Sequence, residues 1–301
     1  MKSAVNRIWT MVVLLLSSLC AQTSGAQPAS NPAVADEFSK QTGIYQSRGQ
    51  DVPEGYVIHR SLLSYLFTLP SGFSRSLANL GPNDRWLDIG AGEGRAILDY
   101  CTSKYDVMLM HGLERHSRKA KAIAISIEDR RTSQWHKTAA SFDDAMQIQY
   151  FSGRSLREYS LDELGQFQVI SDVFGGFSYT RDLSLFMQKS LGFLKLNGSF
   201  YTVLQDVRSE KGTNRPYYPE SPFLTEIANP DGSAVSVCSW LKSITCAEVT
   251  CELKSQSSPP VEVYHIRKVC DNVSVPGLVP VHFTAGTPPE RGFKVPGATP
   301  R

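Results

Sequence analysis

The chain has 301 residues, 41% hydrophobic and 20% charged, which is the make-up of a globular protein able to bury a core as one large domain or two small ones. Lys2 and Arg7 precede an apolar run from Ile8 to Leu19, too short to span a bilayer and suited to a secretory leader; Ser24-Gly25-Ala26 supplies small residues for cleavage before Gln27. Cleavage there lowers Lys+Arg from 31 to 29, equal to the 29 Asp+Glu, so an exported chain, periplasmic or secreted, has no bulk charge with which to attract nucleic acid.

After a small, polar lead-in, Tyr45-Gln46-Ser47-Arg48-Gly49 precedes Leu62, Leu63, Leu66 and Phe67 at helical spacing, and a second segment runs from Phe73 to Leu80 before Gly81-Pro82. Two helices fit this pattern. Arg85-Trp86-Leu87-Asp88-Ile89 then reads as a buried strand that passes into Gly90-Ala91-Gly92-Glu93-Gly94 and on into the helical Arg95 to Tyr100. Glycine lets the backbone take positive φ and lets a ligand come close, and the helix start offers N–H groups to an anion. A ligand with an adenosine and an anionic end fits such a turn.

The run Asp-Ile-Gly-Ala-Gly-Glu-Gly at 88–94 resembles the first motif of class I S-adenosylmethionine-dependent methyltransferases. Its Gly-x-Gly-x-Gly spacing differs from the Gly-x-Gly-x-x-Gly of the dinucleotide fingerprint and favours a methyl donor over NAD. The resemblance implies an α/β, Rossmann-like fold: a seven-stranded, mostly parallel sheet with helices on both faces and a C-terminal antiparallel hairpin. It implies S-adenosyl-L-methionine as cofactor, Asp88 fixing the turn and the methionine amino group, and Gly90, Ala91, Gly92 and Gly94 lying along the donor. Residues 27–80 would cover the donor site and 81–270 form the methyltransferase-like domain, followed by a tail. Arg48 is a candidate partner for the methionine carboxylate.

Tyr105 to Glu114 is the expected second strand, finishing on an acid. Glu114 either takes both ribose hydroxyls or caps a helix beginning near Ser117, on which Ala120, Ile123, Ala124 and Ile127 share a face. Gln147 to Phe151 follows as the third strand. At its turn the resembling family often carries an adenine-binding Asp; here Arg154 cannot accept from an amino group, which leaves backbone, Ser155 or another element. Phe167 to Asp172 is the fourth strand, followed by the aromatic loop Val173 to Tyr179, a helix from Asp182 and a strand Ser199 to Leu204; this unit resembles the family in order and spacing. Asp172 and Tyr179 are the candidates to orient or deprotonate a nucleophile, Asp172 and Phe174 also bordering the donor, with the Phe174 ring offering its face to a sulfonium.

Arg208 to Ser221 is polar and aperiodic, an insertion or lid, and Ile244 to Leu253 with Val261 to Val269 forms the expected hairpin. A hairpin turn near Ser258 sets Cys246 opposite Cys270 and leaves Cys238 to pair with Cys251, while Cys101 reads as a small buried hydrophobe. The irregular cysteine gaps contain no Cys-x-x-Cys, so no metal site is expected. The proline-rich tail from Asp271 is expected to lie extended or loose. The reading is therefore an exported methyltransferase acting on a small molecule, lipid or envelope component. A non-catalytic binding module of the same fold is the alternative, and a nicotinamide-linked reductase the third.

Overall fold

The computed structural model of the chain describes residues 60–104, 120–204, 224–254, 261–284 and 290–297. Helices α1 (Leu62–Thr68) and α2 (Gly72–Ala78) come first. The alternating section follows: β1 (Arg85–Ile89), α3 (Arg95–Cys101), β2 (Lys121–Ser126), α4 (Ser133–Ala139), β3 (Ile148–Ser152), α5 (Leu161–Leu164), β4 (Phe167–Val173), α6 (Gly176–Tyr179), α7 (Leu183–Phe193) and β5 (Leu194–Leu204). The last part holds β6 (Leu224–Ala228), β7 (Ala234–Val235), α8 (Val237–Lys242), β8 (Ala247–Lys254), β9 (Val261–Lys268), β10 (Val279–Thr284) and β11 (Glu290–Lys294). Helix starts follow local chemistry: the Ser61 hydroxyl accepts from Ser64 N, Thr132 from Trp135 N and Asp182 from Leu185 N, each satisfying a backbone donor the helix leaves open.

Seven strands form one sheet in the order β3-β2-β1-β4-β5-β9-β8; β3 through β5 are parallel, and β9 runs antiparallel to both β5 and β8. This is the Rossmann-like, mostly parallel sheet with a terminal antiparallel hairpin that the resemblance implies. Strand alternation divides the core in two. Leu87, Ile89, Ile123, Ile125 and Ile170 face α7 with Phe186, Met187 and Leu191. Trp86, Ala122, Ala124, Val169 and Tyr201 belong to the opposite layer, with Leu62 and Tyr65 of α1, Phe73 and Leu77 of α2, and Ile97 of α3.

Two features depart from the sequence reading. Residues 120–127, expected on a helix, contain β2, whose Ala122 to Ile125 are all buried. A contiguous apolar run covered on both faces is what a central parallel strand requires, and the helical spacing of Ala120, Ile123, Ala124 and Ile127 was coincident with it. The expected strand at 105–114, the helix start at Ser117 and the polar stretch 208–221 lie outside the described residues. The tail, expected to be extended or loose, contributes β10 and β11 to a second sheet of order β10-β11-β6-β7. There β11 runs parallel to β6 and antiparallel to β10.

The hairpin and the cysteine pairing follow the expectation. Ala247 faces Lys268 and Lys254 faces Val261 across β8 and β9. Cys246 is bonded to Cys270, with Cα atoms 5.0 Å apart, and Cys238 of α8 to Cys251 of β8, at 6.0 Å. Cys101 is buried. Lys254 joins this hairpin to the N-terminal helices: its Nζ donates to the carbonyls of Phe67, Thr68 and Leu69 at 2.9, 2.9 and 2.8 Å, a cation at the C-terminal end of α1. Among the described residues no helix is long and apolar enough to cross a membrane.

Candidate functional site

Parallel strands deliver their carboxyl ends to one edge of the sheet, where open α/β proteins bind ligands. At the end of β1, Asp88 lies two residues from Trp86, so alternation turns it toward α1. There Tyr65 donates its hydroxyl to Asp88 Oδ2 at 3.0 Å, and Ser171 of β4 donates to Oδ1 at 2.7 Å while accepting from Trp86 Nε1 at 2.9 Å. Asp88 is fully buried, and burial pushes its carboxyl up to about 7; the two hydroxyl donors pull it down and Asp172 adds to the rise. Tyr65 and Ser171 were not legible as site residues, because their meeting at Asp88 depends on how α1 packs.

The turn after β1 is shaped by glycines at positive φ: Gly90 at +68°, Gly92 at +55° and Gly94 at +68°. Gly90 N and Ala91 N both donate to Ile125 O of β2, at 2.9 and 3.2 Å, which fastens the turn to the neighbouring strand. A Cβ on Gly90 would lie 2.5 Å from Gly175 Cα, so the turns after β1 and β4 meet backbone to backbone. A Cβ on Gly94 would fall 2.9 Å from the Tyr150 ring. The result is a glycine-rich turn beside a buried acid, with three positions at which no side chain keeps a ligand from the backbone.

The end of β2 carries acids the sequence reading missed. Glu128 pairs with Arg130, and Asp129 takes Arg131 bidentately, Nε to Oδ1 at 2.9 Å and Nη2 to Oδ2 at 2.6 Å. The hydrogen bonds from Arg131 hold the Asp129 carboxyl down at about 2. The signal was present in the sequence, since a buried strand at 121–126 places Glu128 just beyond that strand's carboxyl end, the edge where open α/β sheets bind ligands. Glu114, assigned that role in the sequence reading, lies outside the described residues, as does Arg48. Arg60 stands near the end of β4 instead: its Nη1 donates to Val173 O at 3.3 Å, and its guanidinium lies 5.0 Å from the centre of the Phe174 ring.

Asp172 belongs to the other face of β4, toward α6. Both of its oxygens are engaged: Oδ1 accepts from Gly175 N and Oδ2 from Phe177 N, each at 3.0 Å. Burial pushes this carboxyl also up to about 7, against the pull of those backbone donors. In this arrangement Asp172 shapes the loop. That loop carries Phe174 at φ +52°, a left-handed conformation unfavourable for a bulky side chain, and Tyr179, nearly buried, at the end of α6. Ser155, at the outer end of β3, makes a reciprocal cap with Glu158: its N and Oγ both donate to Oε2, at 2.6 and 2.8 Å. Thus Asp88, Gly90, Ala91, Gly92 and Gly94 meet Asp172 and Phe174 at the carboxyl ends of adjacent strands β1 and β4, while Ser155 is spent on its own turn.

The chain has a Rossmann-like fold. Strand order and direction decide this, together with the glycine turn after β1. No protein-family model matches the sequence, and no curated protein matches it significantly. Solved structures similar to it include the N-methyltransferase NodS from Bradyrhizobium japonicum WM9, 12% identical over 66% of this chain and 94% of that one, with a TM-score of 0.38. A SAM-dependent methyltransferase from Thiobacillus denitrificans in complex with S-adenosyl-L-homocysteine is 14% identical over 55% of this chain and 54% of its own, at a TM-score of 0.34. For YjhP from E. coli the identity is 13%, over 58% of this chain and 59% of that one, with a TM-score of 0.34. The chain therefore spans less than two thirds of the length of two of these three. Likeness at this level leaves the chemistry to be argued from the site itself.

Proposed function

We propose that this protein is an S-adenosyl-L-methionine-dependent methyltransferase that acts after export on a small-molecule, lipid or envelope acceptor. The observation that carries the reading is the glycine cradle after β1, backed by fully buried Asp88, at the carboxyl edge of the parallel sheet. Bound there, the donor supplies an electrophilic methyl group, and displacement in line with the leaving sulfur asks the protein chiefly for alignment and exclusion of water. Asp88 steadies the turn, Gly90, Ala91, Gly92 and Gly94 offer backbone along the donor, and Glu128 is in place for the ribose hydroxyls. Arg60 takes the role assigned to Arg48 in the sequence reading, a cation for the methionine carboxylate. On the acceptor side Asp172 positions the loop, Phe174 offers an aromatic face and Tyr179 a phenol. The two disulfides suit an exported chain, and the zero formal charge expected after cleavage argues against nucleic acid as acceptor.

Calorimetric titration of S-adenosylhomocysteine into the purified protein tests the donor half, and transfer of label from methyl-labelled donor to envelope extracts tests the acceptor half. Micromolar binding with label transfer is expected. Binding without transfer to any extract would favour the non-catalytic module, and no binding would remove the methyl donor from the reading.

A further inference from the structure

We infer that Tyr150 is a positioning residue that fixes the spacing between the two loops of the donor crevice, using one phenolic oxygen placed against a backbone carbonyl of each. The inference rests on the donor reading above. Tyr150 is the middle residue of β3, and alternation puts its ring in the layer where neighbouring β2 offers only Ala122 and Ala124. Its hydroxyl reaches Gly92 O, in the turn after β1, and Glu128 O, 3.1 Å away in the loop after β2. A phenol has one proton and donates to one carbonyl at a time; with both within reach, the same atom ties together two segments separated in sequence. Burial raises the Tyr150 pKa, which keeps that proton in place.

The ring is itself held. The Arg131 guanidinium lies 4.9 Å from its centre and 5.2 Å from that of Trp135, with Asp129 gripping the same guanidinium. Trp135 meets Tyr150 edge-on at 5.8 Å and donates Nε1 to Gly94 O at 3.2 Å. The absence of a side chain at Gly94 is what lets this aromatic pair come up beneath the turn. A donor lying from the glycine turn to an acid after β2 must touch both loops at once, so their separation decides whether the two sets of contacts can form together.

Tyr150→Phe keeps the ring and removes the hydroxyl, and with it the contacts to Gly92 O and Glu128 O and the hydrogen bonds with Ser126 and the Arg130 backbone. With the wild-type protein as reference, S-adenosylhomocysteine affinity should fall about tenfold, because the two carbonyls lose the one donor they share and the loops lose their common anchor. Amide hydrogen exchange without ligand should rise in both 91–94 and 127–130, while the thermal midpoint moves little. Trp135→Phe, which removes the indole donor from Gly94 O and leaves the bond from Leu98 N, should raise exchange in 91–94 only. If Tyr150→Phe does not fold, Arg131→Ala retains the hydroxyl but loosens its ring, and should give a weaker form of the same two-loop exchange. Wild-type binding matched by Tyr150→Phe, or exchange that rises in one loop only, would overturn the inference. If the wild-type protein does not bind the ligand, the donor reading fails, and the exchange data still decide whether the bridge exists: unchanged exchange in both loops would overturn it as well.

Discussion

Asp88 and Glu128 stand at the mouth ends of two adjacent parallel strands, and they have opposite circumstances. Asp88 is fully buried, with both oxygens taken by hydroxyls from α1 and β4. Glu128 is partly exposed and pairs with the flexible side chain of Arg130 two residues along the chain. A carboxylate enclosed by fixed donors defines architecture, whereas one held by a mobile cation can exchange that partner for a ligand. Two acids near the carboxyl ends of neighbouring strands thus differ in kind: one is fixed in the frame, and the other is the one the proposed function assigns to recognition.

The comparison breaks most visibly if Asp88 is removed. Asp88→Ala strands the Tyr65 and Ser171 hydroxyls in the core and should cost about 4 kcal/mol in urea unfolding. Asp88→Asn, whose amide can still accept from Ser171 and donate to a turned Tyr65 hydroxyl, should cost about 1 kcal/mol. A loss below that for the alanine variant would mean Asp88 is not the keystone described.

Glu128→Gln should do the reverse. Donor-product affinity is expected to fall by about 2 kcal/mol, roughly thirtyfold, with the thermal midpoint nearly unchanged. Glu114→Gln measured beside it is the sharper control: a large loss there and none at Glu128 would restore the ribose role to the acid the sequence favoured.

The pH dependence of stability reports on the two buried acids, Asp88 and Asp172. Asp88 and Asp172 have pKa values of about 7 in the fold against an ordinary 3.8, so the native state holds more protons than the unfolded chain between those values. Their contribution is greatest below 3.8 and is withdrawn as pH rises to about 7, beyond which it is flat. Denaturant midpoints should fall across this window, and Asp88→Asn should remove part of the slope. A midpoint that climbs from pH 4 to 7 even after the asparagine substitution would contradict the assignment. The smallest effect is expected at Lys254: Lys254→Ala should cost about 1 kcal/mol of stability by uncovering the last carbonyls of α1, with donor affinity weakened only as far as α1 loosens its hold on Asp88.

What could be read from the sequence was what local pattern controls. The glycine turn, the β4-α7-β5 unit and the hairpin with its cysteine pairs each depend on residues close in the chain or in simple register. β2 was misread because Ala120, Ile123, Ala124 and Ile127 satisfy a helical period, while the stronger signal was an unbroken apolar run bounded by Lys121 and Ser126. The second sheet was hidden for another reason: β10 contains Pro280 at an irregular register, and β11 pairs in parallel with β6, more than sixty residues earlier in the chain. Tyr65, Ser171 and Tyr150 acquire their roles only through packing, which no spacing rule reports.

The contact between Gly90 and Gly175 bears on how a ligand could be enclosed. These two turns already touch, so that side of the crevice has no travel left, and a Cβ added to either meets backbone within 3 Å. Enclosure would have to come from an element that can move without unzipping a strand. Helix α1 is no such element: Leu62 and Tyr65 are buried in the core, Tyr65 holds Asp88, and Lys254 caps the helix end. The glycine seam and α1 therefore make one fixed wall, and a molecule held against it would have to match a shape set by folding rather than by closure.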